Sequence, residues 1–598
     1  MRTTITMIML GSFLFLAAEL SAAEISGPLS GLLPLSGSPY QVVGDIWVTN
    51  YLSIEPGVKF EFQGPYSFEI RRGTSLYAIG TETDSITFSC DTLLYPDAWM
   101  GIKTDSANVV KLYYCIVENA KQSGLWFRGQ YNYYYSRTEL THCLISHNSS
   151  PDSLGIGGGA TLQRLDVAIF SYNTFIANKG YDGGGIHLDF ASVPILENAI
   201  LNNEAFYGGG ISTMTGCSVV GSHLEANRAV YGGAIFARSY SFVQANQITD
   251  NSATNGGGVM LRGGGRIFGN HVTRNSASTG YGGGISCGSR SNYLLRDNII
   301  QDNAAEIGGG LAILDSATAT MRRNQILGNS ALSNGGGIYI DFSDPGVSLN
   351  SWYRFEMFQG IITGNLSPRF PAAFIGGPIL VTIANNTICN NLGDGSGAAF
   401  ECDSLVSGTI VNSVFWNNGL EDISVGSDMT VQYSDIMQGY SGIGNISLDP
   451  IFRDTTAGDY HIMSIACGDP LDSPCIDVAS PDYRDDTLSC QWGLGDSLCD
   501  MGAYGGGHIK CYYIPGDANN TGIANGVDIV YMVNYLKGLG PPPPIICYDC
   551  PNPGENIYAA GDVNGTCEFN GVDITYLNHY FRGYGVPIQF CRDCPPGQ

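Results

Sequence analysis

The sequence predicts an all-β parallel solenoid that is followed by a small α-helical C-terminal domain. Three patterns carry this prediction: glycine triplets that recur every 24 to 27 residues, asparagine pairs that precede most triplets, and a duplicated segment near the C-terminus. A fixed period in this range is typical of solenoids, because a single repeat cannot bury its own apolar face and must stack on its neighbours. The triplets and their close variants are Gly157–Gly159, Gly183–Gly185, Gly208–Gly210, Gly232–Ala234, Gly256–Gly258, Gly282–Gly284, Gly308–Gly310 and Gly335–Gly337.

The asparagines of each pair are five residues apart, with an apolar residue between them. Asparagine tolerates the left-handed backbone of a tight corner, and asparagines stacked on successive coils can bond to the coils above and below. We therefore expect two structural ladders that have no direct role in function. The pairs are Asn173/Asn178, Asn198/Asn203, Asn246/Asn251, Asn270/Asn275, Asn298/Asn303 and Asn324/Asn329.

Length, composition and charge restrict the class of protein. The chain has 598 residues, 80 glycines and only 14% charged residues, which fits one large repetitive β architecture better than several ordinary domains. Its 28 basic and 54 acidic residues give a net charge of −26, which repels nucleic acid and anionic lipid surfaces. We expect no nucleic-acid partner.

The N-terminus has the layout of a secretory signal. An apolar run from Ile5 to Ala18 follows Met1, Arg2 and Thr3, and small residues precede Glu24. This run is shorter than the roughly 20 residues that a membrane-spanning helix needs. We expect a signal peptide over 1–23, no transmembrane anchor, and a secreted protein that is extracellular or associated with the cell surface.

Seventeen cysteines in an exported chain favour disulfides together with some buried thiols. Cys217 and Cys287 are isolated in the middle of the chain and should pack as small apolar residues. Two Cys-x-x-Cys pairs near the C-terminus fit a zinc site of four thiolates, but export favours disulfides, whose pairing the sequence does not determine. These pairs are Cys547/Cys550 and Cys591/Cys594.

The combination of Gly-Gly-Gly-Ile with Asn-x-Ile-x-x-Asn resembles the right-handed β-helix repeat of pectate-lyase-like and polymorphic-outer-membrane-like proteins, from about Tyr40 to Asn418. The resemblance implies a right-handed parallel β-helix. Segments at Ser53–Val58 and Trp99–Ile102 look like its opening coils, and those at Ser473–Asp477 and Asp500–Tyr504 look like its closing cap. We assign 24–510 to the β-helix with its N-terminal and C-terminal caps.

A strand begins after each triplet, and its first and third residues should point inward while its second and fourth point outward. The outward second column is His187, Ser212, Phe236, Met260, Ser286, Ala312 and Tyr339. In the fourth column, Asp189 and Asp341 lie six coils apart. That separation is roughly 30 Å at a strand spacing of about 4.8 Å, too far for a catalytic carboxylate pair.

Other charged and aromatic residues leave alternatives open. Arg238 and Arg262 either cover apolar surface with their stems or supply the base of a lyase. The outward Phe236, Met260 and Tyr339 could contact sugar rings. A further column is interpreted as an ion-pair ladder, whose direction the sequence does not give; its members are Asp250, Arg274 and Asp302.

The duplicated C-terminal segments begin at Gly516 and Gly561, 45 residues apart. In both, oxygen-bearing side chains fall at loop positions 1, 3, 5, 9 and 12, the spacing with which a loop surrounds Ca²⁺, with a backbone carbonyl from position 7. Each loop leads into a helical stretch, Ile529–Lys537 and Ile574–Arg582. Ordinary Asx-turns are the alternative explanation of the loops.

This loop–helix duplication resembles the type I dockerin repeat, whose family role is calcium-dependent docking into a cohesin. We assign 511–598 to a dockerin-like calcium-binding domain. Threonine replaces the family's usual aspartate at position 5 in both loops, and Cys567 replaces the turn glycine of the second. The implied ligands are Asp517, Asn519, Thr521, the Ile523 carbonyl, Asn525 and Asp528, and then Asp562, Asn564, Thr566, the Glu568 carbonyl, Asn570 and Asp573.

The expected function is that of a secreted β-helix protein which binds polysaccharide or other surface ligands and is attached through its dockerin-like end to a cohesin-bearing scaffold. The alternative is a polysaccharide-degrading enzyme, a lyase or a glycoside hydrolase, carried by the same tag. The sequence identifies no catalytic constellation, and fold alone does not fix function.

Overall fold

A computed structural model provides the fold. It describes residues 23–95, 99–129, 137–150, 156–165, 168–191, 193–315, 317–342, 353–395, 397–419, 421–483, 490, 493–496, 498–506, 513–543, 547–548, 556–583, 587–591 and 594. Residues 1–22 of the expected signal peptide, Cys511 and Cys550 therefore lie outside the described residues. No helix within the described ranges is long and apolar enough to cross a membrane.

The chain forms a parallel β-solenoid of about 13 turns, in which every coil adds one strand to each of three sheets. The first sheet follows the glycine triplets and contains Phe68–Ile70, Ile102–Asp105, Leu125–Arg128, Ala160–Gln163, Ile186–Asp189, Ile211–Thr213, Ile235–Ala237, Val259–Leu261, Ile285–Cys287, Leu311–Leu314, Ile338–Asp341, Ala373–Gly376, Phe400–Cys402 and Ile423–Val425.

The second sheet contains Ser75–Ile79, Val109–Tyr113, Arg137–Thr141, Ala168–Ser171, Pro194–Leu196, Ser218–Val220, Ser241–Gln244, Gly265–Phe268, Asn292–Arg296, Thr318–Arg322, Arg354–Phe358, Leu380–Ala384, Ser407–Val411 and Met429–Gln432. The third contains Lys59–Phe62, Ile86–Ser89, Cys115–Glu118, Leu144–Ser146, Thr174–Ile176, Ala199–Leu201, His223–Glu225, Gln247–Thr249, His271–Thr273, Ile299–Gln301, Gln325–Leu327, Ile361–Thr363, Thr387–Cys389, Val414–Trp416 and Asp435–Ile436.

The coils extend slightly beyond the predicted range at both ends. The strand Ala23–Leu33 pairs in parallel with Tyr40–Ile54, which in turn pairs with the first strand of each sheet. A short additional sheet stacks the loops before four of the triplets; its strands are Ser252–Ala253, Ser276–Tyr281, Ala304–Ile307 and Ser330–Asn334. The remaining strands form two antiparallel pairs, Phe452–Asp454 with Asp459–Ile462 and Cys547–Tyr548 with Asn556–Ile557. Two short 3₁₀ turns span Leu35–Gly37 and Ile465–Cys467.

One continuous apolar core fills the solenoid, built from the inward residues of the three sheets. The first residue of the strand after each triplet is fully or almost fully buried, as the period of two predicts. Cys217 and Cys287 belong to this core, which confirms that they pack as small apolar side chains.

Both asparagine ladders are present and buried. Asn275 is typical: its Nδ2 and its backbone N–H donate to Oδ1 of Asn303, at 3.0 and 2.8 Å, and its Oδ1 accepts the same two bonds from Asn251 at 2.9 and 3.0 Å. The Nδ2 also donates to the carbonyl of Ile248 at 2.9 Å. Each asparagine thus joins its coil to both neighbours, which is the predicted structural role.

The Asn275→Ala variant should be destabilised by about 3 kcal/mol, because several buried hydrogen bonds are lost at about 1 kcal/mol each and donors of Asn251 are left unsatisfied. Denaturant unfolding of the solenoid would measure the change. Asn292→Ala, at an exposed strand position, is the matched control and should change stability by less than about 0.5 kcal/mol. Equal effects of the two substitutions would contradict the role of the ladder.

The second residue of the strand after each triplet points away from the core, but most of this column is not on the surface. Phe236 and Met260 are only 3% and 5% exposed, because the loop before each triplet folds back over this face. The ring of Tyr207, from such a loop, lies 4.9 Å from that of Phe236. The prediction that Phe236 and Met260 could contact sugars is therefore wrong, whereas Tyr339 is partly exposed.

The column of charged residues on the corner of the third sheet faces solvent. Arg274 forms a two-pronged ion pair with Asp250 of the preceding coil, at 2.8 and 3.0 Å, and both side chains are largely exposed. The interpretation as an ion-pair ladder is confirmed for this pair.

The segment expected to close the helix packs against the outer face of the third sheet. The N–H of Gly502 donates to the carbonyl of Asn412, and that of Ala503 to Oγ1 of Thr387. Cys475 and Met501 are buried in a separate cluster with Val414. The segment therefore covers the flank of the last coils.

Candidate calcium loops and the outer face of the first sheet

Both C-terminal repeats fold as a loop followed by a helix. Helix α1 spans Gly526–Leu536 and α2 spans Gly571–Phe581. Each begins three residues earlier than predicted, because Asn525 and Asn570 cap the helices while Asp528 and Asp573 close a capping box. The predicted ligands at positions 9 and 12 therefore also start the helices.

The first loop wraps around Asp517. Its carboxylate accepts the N–H groups of Thr521 at 2.9 Å and Gly522 at 2.6 Å, and it is 2% exposed. Asp528 accepts the N–H of Asn519 at 3.1 Å, and Asn519 Oδ1 is buried with no hydrogen-bond partner in the described part of the chain. A buried amide oxygen in that situation is suited to a cation.

The second loop repeats this geometry with deeper burial. Asp562 accepts the N–H groups of Thr566 at 3.1 Å and Cys567 at 2.8 Å, while Asp573 accepts those of Val563 and Asn570 at 3.1 and 2.9 Å. Both carboxyl groups are fully buried.

The electrostatics of the second loop favour a bound cation. Burial raises the pKa of Asp562 to about 7, and burial together with the charge of Asp562 raises the pKa of Asp573 well above its ordinary value. Two buried carboxylates that repel each other are stabilised by a cation between them. The oxygen-rich ligand set fits Ca²⁺, with Asp562, Asn564, Thr566, Asn570, Asp573 and the Glu568 carbonyl as its available donors.

Cys567 keeps the sharp turn that glycine makes in the first loop. Its φ is +60°, against +87° for Gly522, and its N–H donates to the position-1 aspartate in the same way. A disulfide to Cys591 holds it there, and Cys594 is also disulfide-bonded. The interpretation as disulfides is confirmed for these cysteines, and the zinc alternative loses two of its four thiolates.

The metal-free C-terminal domain should become less stable as the pH rises from about 4 to about 7. A carboxyl group whose pKa is higher in the folded state holds a proton that the unfolded state has released in this window, so the free energy of unfolding falls with pH. Calorimetry in a chelator at pH 5 and pH 8 would measure it, and excess calcium should restore the stability at pH 8. A domain that is more stable at pH 8 without metal would contradict the expectation.

A row of partly exposed aromatic residues runs along the outer face of the first sheet, parallel to the solenoid axis. We call it the aromatic strip, and its members are Tyr207, Tyr231, Tyr281, Tyr339 and Phe374. Tyr207 and Tyr231 stack at 5.4 Å, and Tyr339 and Phe374 stack at 5.3 Å. Six strand spacings of about 4.8 Å make the strip about 30 Å long. Strand alternation predicts only the outward position of Tyr339, because most members of the strip precede the glycine triplets, in the loops.

A polar cluster lies at the N-terminal end of the aromatic strip. Asp182 accepts from Ser212 Oγ at 3.5 Å and lies 3.8 Å from the guanidinium of Arg238, which stacks on the ring of Tyr207 at 4.5 Å. Burial raises the pKa of Asp182 and the charge of Asp189 raises it further, whereas Arg238 lowers it. Burial also lowers the pKa of His187 to about 4.

Two acids and one arginine therefore share this part of the face. Arg238 does cover apolar surface, but the contact is made by its guanidinium over the rings of Tyr207 and Phe236, not by its stem as predicted. Asp189 and Asp341 remain on strands six coils apart, so that pair is excluded from joint catalysis in the structure as well.

A family model agrees with the fold. The family described as "Right handed beta helix region" matches residues 92–242 and 222–351. No curated protein matches the chain. A crystal structure of pectate lyase Pel9A is similar with a TM-score of 0.29 and 11% sequence identity, covering 76% of this chain and 88% of that one. The repeat and the three parallel sheets define a right-handed parallel β-helix protein, stabilised in part by disulfides at Cys467–Cys490 and Cys567–Cys591.

Proposed function

We propose that this protein is an exported β-helix protein which binds a polysaccharide along its aromatic strip and is attached through a calcium-dependent, dockerin-like C-terminal domain to a cohesin-bearing scaffold. The main support for this attachment is the repeated loop–helix unit. Asp517 and Asp562 occupy equivalent buried positions in the two loops, and each accepts a hydrogen bond from the backbone N–H five residues later. Calcium, when bound, would add positive charge beside these buried carboxylates.

The two repeats also pack on each other as a pair. Ala518 and Met532 of the first repeat meet Val563 and Leu577 of the second in one small core. Tyr531 and Tyr576 make the same hydrogen bond, to a proline carbonyl eleven residues later, at 3.1 and 3.0 Å. Ordinary turns would not reproduce loop, helix and tertiary contact together, which favours a duplicated binding unit.

Calorimetric titration of calcium into the metal-stripped full-length chain tests the attachment. We expect two binding events, of which the Asp517→Ala and Asp562→Ala variants each lose one. Asn534→Ala, at an exposed position of α1, is the control and should bind as the unmodified chain does. Absence of binding at millimolar calcium would overturn the dockerin-like assignment.

The aromatic strip supports the polysaccharide part of the proposal. Rings that are partly exposed and held by stacking offer apolar faces for sugar rings at a small entropic cost. The Tyr207→Ala/Tyr231→Ala variant should bind the polysaccharide at least ten-fold more weakly in affinity electrophoresis. Tyr172→Ala, an exposed tyrosine on another face, should leave binding unchanged. Equal retardation of all three proteins would contradict a role of the strip.

A specific observation favours the enzymatic alternative as a second candidate. Burial raises the pKa of Asp182, and the charge of the neighbouring Asp189 raises it further. A carboxyl group that keeps its proton beside a second carboxyl group suits general acid catalysis of glycan cleavage. An enzyme should release new chain ends from its polysaccharide, and Asp182→Asn should abolish this release without weakening binding. Binding without any release would leave the non-catalytic function in place.

A further inference from the structure

A groove of about 510 Å³ lies on the outer face of the first sheet, over its first three strands. We call it the N-terminal groove. Its floor is formed by the outward second residues of neighbouring strands, since Glu69 pairs in register with Lys103 and Lys103 with Trp126. The groove lies three strands before Ile211–Thr213, the strand that follows the loop of Tyr207, about 14 Å along the axis from where the aromatic strip begins.

The groove concentrates positive charge in an acidic protein. Among the described residues, four cationic side chains line it, whereas only two carboxylates, Glu69 and Asp105, do so. The chain as a whole has almost twice as many acidic as basic residues. Such a local excess attracts anions that the rest of the surface repels. The four cations are Arg71, Arg72, Lys103 and Arg128.

The carboxylate at the floor is already neutralised by a neighbour. Arg71 Nη2 and Nε both lie 3.0 Å from Oε2 of Glu69, and the same guanidinium stacks over the ring of Trp47 at 4.3 Å. Lys103 is held by a hydrogen bond from Nζ to Oε1 of Gln122 at 2.7 Å, and its half-burial lowers its pKa. A half-buried ammonium loses part of its hydration, so an incoming anion interacts with it more strongly.

An oriented aromatic ring borders the cations. Trp126 Nε1 donates to Oε1 of Gln163 at 3.0 Å, which fixes the indole, and the ring is partly exposed in the groove. Arg128 is exposed two residues further along the same strand. The groove thus offers an apolar ring face for a sugar and guanidinium and ammonium donors for anionic substituents at one place.

We propose that the N-terminal groove binds the anionic substituents, carboxylate or sulfate, of an acidic polysaccharide. This inference rests on the proposed polysaccharide function and names the chemical class of the glycan. Trp126 stacks on a sugar ring while Lys103 and Arg128 contact the anionic groups. The bound polysaccharide continues along the solenoid axis towards the aromatic strip.

The test compares three polymers on the full-length chain: polygalacturonate for carboxylate, dextran sulfate for sulfate, and dextran as the neutral control. We expect at least one polyanion to bind, with an affinity that falls steeply as salt is raised. The Lys103→Gln/Arg128→Gln variant should bind that polyanion at least ten-fold more weakly. The polyanion that is lost identifies the substituent.

The matched control is Lys179→Gln/Arg228→Gln, which removes one exposed lysine and one exposed arginine outside the groove and changes the net charge equally. It should bind as the unmodified chain does. Circular dichroism checks that both double variants keep the β-helix.

The outcomes separate this inference from the proposed function. The groove assignment is overturned, and the polysaccharide function stands, if the protein binds neutral polysaccharide through Tyr207 and Tyr231 but neither polyanion. The same conclusion follows if the groove variant binds the polyanion as tightly as the control variant does. If no polymer binds at low salt, both are overturned.

Discussion

Gly257→Ala should destabilise the middle of the solenoid by several kcal/mol. A Cβ on Gly257 would lie 2.4 Å from the carbonyl oxygen of Gly283 and 2.6 Å from the backbone nitrogen of Ser276, distances that no carbon atom tolerates. Both neighbours are backbone atoms of the next coil, so relief requires the coils to separate. Separation would break hydrogen bonds on three sheets at once and open the apolar core.

Hydrogen exchange detected by mass spectrometry of peptides would measure this effect. Solenoid coils contact only their neighbours, so a defect should expose the strands nearest to it. Gly269→Ala is the matched control. Gly269 has a φ of +60°, and no atom of the described residues lies within 4 Å of an added Cβ, so the substitution should cost only about 1 kcal/mol of backbone strain. Similar protection in the two variants would show that the close approach of the coils is not what fixes glycine at position 257.

Much of the solenoid could be predicted because its repeat is enforced by contacts between equivalent residues. Asn275 bonds to Asn251 and Asn303, so the ladder requires the same residue at the same place on each coil. The glycine triplets recur for a similar reason, since each packs against the triplet of the next coil. A constraint that is repeated on every coil is visible in one sequence.

The surface could not be predicted in the same way. Alternation within a strand correctly predicts that Phe236 points away from the core. It does not predict that the loop carrying Tyr207 covers this ring. The direction depends on the strand alone, whereas the exposure depends on loops whose length and sequence differ from coil to coil. The aromatic strip and the N-terminal groove both depend on such non-repeating residues, Trp126 and Arg128 among them.

The C-terminal loops occupy an intermediate position. Their spacing predicted which residues come together, and Asp517 and Asp562 do take equivalent places. The first helix begins three residues before its predicted start, because Asn525 and Asp528, which the spacing predicts as ligands, also cap it. The same side chains can cap the helix and bind a cation. Asn525 caps through its Oδ1, and Asp528 accepts N–H groups with both carboxylate oxygens. Each of these oxygens has a second lone pair for a cation.

Asp562→Asn should separate metal binding from a purely structural role of the second loop. The amide keeps the size of the side chain and one of its two acceptor oxygens, but it removes the negative charge. In a chelator at pH 8 we expect the variant and the unmodified chain to have similar stability, because the lost acceptor is offset by relief of the repulsion with Asp573. In calcium, only the unmodified second loop should gain stability, by about 3 kcal/mol when calcium is about 100-fold above its dissociation constant.

Hydrogen exchange of peptides from α2, in the full-length chain with and without calcium, would measure this difference. Peptides from α1 are the internal control, because the first loop keeps Asp517 and should still respond to calcium in the variant. If Asp562 served only an Asx-turn, Asp562→Asn would weaken α2 by the same amount in both conditions. A calcium response of α2 that survives the substitution would remove Asp562 from the ligand set.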